Sequence, residues 1–293
     1  MPVKIAEIEF RQKAILGEGP VWDDHSGKLY WVDILSGMLH LYDPRIRTNT
    51  SFEIGEPIGT AALREQGGLV IASQSGFSFY DPIKDEKIKI EDPESELSGN
   101  RFNDGKCDPG GRFWAGTMAS DPVEGAGSLY CLHPDLTVEL KLPEVTISNG
   151  LAWNRNSDRF FFIDTPTRNL YSFDYDKQTG NISNRSVVRV FGEDSGFPDG
   201  MTIDQEDFLW VAMYGGGKVV RIHPDHGEII YEIQVPVPKP TCCTFGGSEM
   251  NELYITTCRE HMTEKELQKF PLSGSLFKVK LPFSGFPPHR FAG

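Results

Sequence analysis

One phrase recurs six times along this chain, and it limits the folds open to the sequence more than any other feature. It is clearest from Pro198 to Asp225, PDGMTIDQEDFLWVAMYGGGKVVRIHPD. An acid precedes a glycine, and then come a short apolar segment, a polar turn, an aromatic-rich segment (Phe208 to Tyr214), a glycine turn and an alternating segment that closes on Pro-Asp. Period-two alternation bounded by Gly, Asp and Pro is the pattern of strands, not of helices. The unit therefore reads as three short strands joined by tight turns, with a fourth strand at Glu228 to Val235.

Further copies run from Glu18 to Pro44, Gly59 to Pro82, Asn103 to Asp135, Asn149 to Asp176, and from Thr241 to near Leu281. Their second segments align as LYWVDI, LVIASQ, RFWAGTM, RFFFIDT, FLWVAMY and ELYITTC. Six copies in 293 residues give about 49 residues each, the length of a four-stranded propeller blade. The fold expected is all-β: one domain, residues 1–293, forming a six-bladed propeller of four-stranded antiparallel blades. Only Thr263 to Lys269 has a helical signature, with Thr263 and Glu266 placed as a capping box and Pro271 as a stop. After its third strand the sixth copy has only SGFPPHRFAG, poor strand material because of its paired prolines. A spare strand at Lys4 to Phe10 is therefore expected to complete the last blade and close the ring.

Composition narrows the function. A formal net charge of -13 disfavours nucleic acid or an anionic membrane as the partner. No apolar run reaches the roughly 20 residues of a membrane span, and MPVKIAEIEF lacks a signal-peptide core, so a cytoplasmic protein is expected. The five cysteines are expected to be reduced and mostly buried. Gly215 to Gly217 lacks the lysine and hydroxyl of a phosphate loop, and no Gly-x-Ser-x-Gly elbow occurs. His133 and His223 occupy matching HPD turns.

In a propeller the first strand of each blade lines the central channel, so the residue before each leading glycine should face the axis. Those residues are Glu18, Ile58, Asp104, Asn149 and Asp199, with Thr241 and Cys242 at the sixth place. A lone Asp-Gly or Asn-Gly is ordinarily a turn. Four acids or amides in phase are different, because unpaired polar groups converging in one channel are destabilising unless something binds them. Oxygen-only donors suit calcium, magnesium or manganese better than structural zinc.

The motifs GEGPVW (17–22), RFNDGKCDPGGRFWAGTM (101–118), SNGLAW (148–153) and PDGMTID (198–204) resemble the signatures of the senescence marker protein, regucalcin and gluconolactonase family, and the ending is similar to its bacterial sugar lactonases. The resemblance implies a six-bladed propeller that hydrolyses lactones of sugar acids with one divalent metal in the channel, calcium foremost, with zinc, manganese, magnesium or iron(II) as alternatives. It places metal ligands at Glu18, Asn149 and Asp199 and substrate contacts at Arg101 and Asn103. Asp104, the residue chosen by phase, becomes a supporting carboxylate beside Asn103. Asp121 stands where some relatives hold substrate with a glutamate, and Asp121 to Gly127 reads either as a lid or as a plain surface loop. Asp199 is the expected general base, and Arg101 and Asn103 are expected to orient sugar hydroxyls and to help hold the oxyanion. Two other functions fit the same architecture: a calcium-binding regulator without catalysis, and a phosphotriesterase-type hydrolase.

Overall fold

The computed structural model describes residues 2–293. Six sheets are arranged around an axis, with strands in sequence order from the axis outward except where the N-terminal segment supplies the outermost strand of the fifth and sixth blades. The innermost strands are Gly17–Asp23, Ile58–Leu63, Asn100–Cys107, Ser148–Trp153, Phe197–Ile203 and Pro240–Gly246. Each packs against the innermost strands of the blades on either side, and Pro240–Gly246 meets Gly17–Asp23 to complete the circle. The expected six-bladed propeller is thus the fold observed.

Apolar side chains alternate toward the faces between blades. Trp31, Trp114 and Trp210, each on a second strand, are fully buried there. Two of these tryptophans are tied to the turn before them: Trp114 Nε1 donates to Asp108 and Trp210 Nε1 to Asp204, both at 2.9 Å. Asp108 also accepts from the backbone N–H groups of Gly110 and Arg112, so one buried carboxylate closes a turn and fixes an indole.

All six innermost strands break register near their start, between Glu18 and Val21, Ile58 and Thr60, Phe102 and Gly105, Asn149 and Leu151, Pro198 and Met201, and Pro240 and Cys243. A β-bulge bends its strand and re-aims the side chains on it. The glycines within these bulges let neighbouring strands approach closely. A Cβ on Gly59 would lie 2.5 Å from the Asn103 carbonyl oxygen, and one on Gly150 would lie 2.8 Å from that of Asp199. The Asp-Gly and Asn-Gly pairs that serve elsewhere as turns are here parts of bulged strands at the axis.

The N-terminal segment departs from the single strand expected over Lys4 to Phe10. Glu7–Phe10 does complete the sixth blade, antiparallel to Leu276–Lys280. Val3–Ile5 instead adds a fifth strand, parallel, to the outer edge of the fifth blade at Ile229–Gln234. The chain changes sheet at Ala6, which is buried and donates its N–H to Gln234 at 2.9 Å. A seven-residue strand would leave that neighbouring edge unpaired, whereas the split covers both edges.

The C-terminal segment crosses the opposite end of the channel. It is held by Gly285 N–H to Met250 and Phe291 N–H to Leu63, both 2.8 Å, and by Arg290, whose Nη2 reaches Asp23 and Asp24 at 2.8 and 2.7 Å. The expected capping box is present on the helix Glu264–Lys269. All five cysteines are free and buried. No helix among the described residues is long and apolar enough to cross a membrane.

Because two blades take an edge strand from the N-terminus, deleting residues 1–10 should lower the melting temperature by about 10 °C or more, and deleting residues 1–5 should lower it less. Calorimetry on the two truncations checks this, and a ten-residue truncation that melts with the full chain would contradict the closure. Gly150→Ala should also destabilise, by roughly 2 kcal/mol or more in urea unfolding, because two backbones would have to separate.

Candidate metal and substrate site

A cavity of about 270 Å³ opens at the end of the channel where the innermost strands begin. Glu18, Arg101, Asn103, Asn149 and Asp199 all line it, although up to 181 positions separate them in the chain. Asp121 does not: it is exposed on the loop outside, while its neighbours Ser120 and Pro122 reach the rim. That loop is tethered by Gly125 N–H to Thr146 Oγ1 at 3.1 Å and by Asn100 Nδ2 to the Ala126 carbonyl at 2.8 Å.

The third blade explains why phase and resemblance chose adjacent residues. Both Asn103 and Asp104 sit in the bulge between Phe102 and Gly105, where alternation is interrupted. Asn103 faces the open cavity. Asp104 lines a smaller chamber of about 90 Å³ on the far side of the ring, beneath Phe286 to His289 of the C-terminal segment. Its Oδ1 accepts from Gly105 N–H at 2.7 Å, and its Oδ2 is buried without a hydrogen-bond partner.

A chain of hydrogen bonds orients the neutral members of the site. Arg101 Nη1 donates to Asn103 Oδ1 at 2.8 Å. Asn103 Nδ2 donates to the Ser148 carbonyl at 2.8 Å and to Asn149 Oδ1 at 3.0 Å. Asn149 Nδ2 donates to Thr165 Oγ1, whose own proton goes to the Pro198 carbonyl, both at 2.8 Å. The Asn149 amide is thereby held from both ends, with its oxygen toward Asn103. Both N–H groups of Asn103 are committed, leaving it only an acceptor for anything that enters the cavity.

The acids are less settled. Glu18 and Asp199 are 5% and 7% exposed, and among the described residues neither forms an ion pair with a lysine or arginine. Burial, then the charge of Asp104, pushes the Glu18 carboxyl up to about 8. Burial, then the charges of Glu18 and Asp104, holds Asp199 well above the usual carboxylate range. Two buried carboxylates without a cationic partner, beside an amide oxygen fixed by hydrogen bonds, form a donor set suited to a hard divalent cation. The third oxygen of such a set would come from the Asn149 amide, since no cluster of three acidic, histidine or cysteine side chains that could hold a metal occurs among the described residues.

Further lining residues are absent from the sequence reading: Thr165, Phe197, Tyr214, Glu260 and His261. A signal for most of them was present. In an antiparallel blade the end of the second strand lies beside the start of the first, as Ser148 pairs with Asp164 and Phe197 with Tyr214. The residues that close the aligned segments RFFFIDT and FLWVAMY, or follow ELYITTC, therefore reach the same mouth as the acids.

A carboxyl that titrates higher when folded binds more protons in the native state than in the unfolded state. The stability this contributes is complete below the unfolded value of 4.5 and is lost as the pH rises through about 8. Cation-free protein should therefore melt at falling temperatures from about pH 5 to about pH 8, and Glu18→Gln should flatten that slope. Added calcium should raise the melting temperature more at the upper end, where binding displaces protons. A slope of the opposite sign would show that the acids are compensated by some other group.

Comparison with known proteins gives the family. The family model described as "SMP-30/Gluconolactonase/LRE-like region" matches residues 16–259. A protein of Bacillus subtilis (strain 168) named "Putative sugar lactone lactonase YvrE" is 42% identical over 288 residues, 98% of this chain and 99% of the relative. Regucalcin of Bos taurus is 38% identical over 293 residues, 98% of each chain. Among solved structures, the calcium-binding protein regucalcin from Agrobacterium tumefaciens str. C58 superposes with a TM-score of 0.96 at 27% identity, covering 100% of both chains. By motif, by full-length similarity and by architecture, this chain belongs to the SMP-30/gluconolactonase/LRE-like family.

Proposed function

We propose that the protein hydrolyses a sugar lactone to the open-chain aldonic acid, with a divalent cation held by Glu18, Asn149 and Asp199. The observation that carries this reading is the pairing, in one cavity, of two buried and uncompensated carboxylates with a buried arginine. A purely cation-binding protein has no evident use for Arg101 at the mouth of its site. The names of the relatives support the same reading, since one is called a sugar lactone lactonase and another a calcium-binding protein.

When bound, the cation would polarise the lactone carbonyl and make a water more acidic. The chain's own residues do the rest. Asp199 takes the proton from water as its oxygen attacks the carbonyl carbon, and the proton is passed to the ring oxygen as the ring C–O bond breaks. The net change is addition of one water across that bond. Arg101 has N–H groups left over after its bonds to Asn103 and the Phe102 carbonyl, and these orient the ring and stabilise the developing oxyanion. Asn103 cannot donate to an oxyanion; it positions Arg101 and Asn149 and offers its carbonyl oxygen to a hydroxyl. Asp121, outside the cavity, acts on substrate only through movement of the 121–127 loop.

Asp199→Asn should reduce turnover of glucono-δ-lactone by a factor on the order of 100 or more while leaving the melting transition cooperative. Chelator should abolish turnover in the parent protein, and calcium, manganese, magnesium or zinc supplied singly should restore it to different extents. An organophosphate triester assayed in parallel separates phosphotriesterase activity, and cation binding without turnover of either substrate would favour the regulator. Full lactonase activity in Asp199→Asn would remove the proposed base.

A further inference from the structure

Glu260 is the one acid in the cavity that neither the motifs nor the proposed cation account for. It follows the second strand of the sixth blade, Glu252–Thr257, and lines the same cavity as Arg101 and Asp199. Its backbone is pinned: the N–H donates to the Ile15 carbonyl at 2.9 Å, and its carbonyl accepts from Lys239 Nζ at 2.6 Å. Its carboxylate is not. Among the described residues no side chain or backbone group donates a hydrogen bond to it, and its one neighbour of basic type within 4.0 Å is the exposed His261 ring, at 3.5 Å.

Arg101 presents the complementary situation. Its charge and that of Glu260 feel each other across the cavity, yet no ion pair joins them. Its Nη1 is occupied by Asn103 and the Phe102 carbonyl, whereas its Nε and Nη2 donate to no described acceptor. A guanidinium with spare donors and a carboxylate with spare acceptors thus line one cavity without an ion pair between them. A simple ester or lactone ring has only acceptors and would leave the carboxylate unpaired. A ring bearing hydroxyl groups satisfies both sides, because each hydroxyl can accept from Arg101 and donate to Glu260.

We infer that Glu260 is a specificity-determining residue that receives ring hydroxyl groups opposite Arg101 and so selects polyhydroxylated lactones over unsubstituted ones of the same ring size. This rests on the lactonase reading only for its kinetic half. The binding half concerns the hydroxylated ring alone. Asp121, assigned that acidic role in the sequence reading, is exposed outside the cavity; Glu260 reaches the same mouth from the opposite side of the ring.

The test compares the parent protein with Glu260→Ala and Glu260→Gln, all loaded with calcium. Titration calorimetry with anhydroglucitol, a cyclic polyol without a carbonyl, should show binding weakened on the order of tenfold in Glu260→Ala. The KM for glucono-δ-lactone should rise by a similar factor with kcat little changed, while the KM for δ-valerolactone stays where it was. Equal anhydroglucitol binding in parent and variants, or an equal change in KM for both lactones, would overturn the assignment. If the parent turned over neither lactone, the proposed activity would fail, and the calorimetric comparison would still decide whether Glu260 receives hydroxyl groups.

Discussion

Six strands must pack side by side around one axis, and this crowding governs the rest of the molecule. Side chains on regular strands would collide there. The chain meets the constraint by bulging every innermost strand and, at Gly59, Gly150 and Gly200, by placing glycine where a neighbour's backbone presses in. A bulge interrupts alternation, so it also decides which side chains turn toward the mouth. The packing solution at the axis and the placement of the candidate ligands are one structural event.

That placement concentrates negative charge where water is scarce. Glu18 and Asp199 repel each other and Asp104, and burial removes the solvent that would screen them. The C-terminal segment adds to the effect by covering the far end of the channel, where Phe286 to His289 line the chamber that holds Asp104. Such a site is unfavourable for the isolated chain and favourable for a cation, which couples binding to stability. The neutral residues are treated differently: both amide N–H groups of Asn103 and one of Asn149 are engaged, so their oxygens are held in place before anything binds. Preorganised neutral donors beside repelling acids make a site whose shape is fixed and whose charge is not.

Much of this was legible in the chain. The six-fold phrase determined the number of blades, the strand order within them and the phase that brings Glu18, Asn149 and Asp199 together, because period-two alternation and turn residues act locally and repeat. The capping box at Thr263 and the need for an N-terminal closing strand were readable for the same reason. The division of that strand at Ala6 was not, because it depends on an unpaired edge in the neighbouring blade, 226 positions further along the chain at Glu232. Glu260 and Tyr214 were not legible in the strand pattern alone, because alternation does not record which mouth of the channel the end of a second strand reaches.

The sequence by itself determined which residue types arrive at the axis and in what rotation, since both follow from spacing along a repeated unit. Only the tertiary structure decided that Asn103 faces the larger cavity while Asp104, one residue on, faces the smaller chamber at the other end. Direction at a bulge is set by contact with the adjoining blade, as where Gly59 lies against the Asn103 carbonyl, and no one-dimensional period records that contact. The same holds for Asp121 and Glu260: one acid is beside a motif in sequence and outside the site in space, the other is far along the chain and inside it, because closing a ring brings distant loops to one mouth.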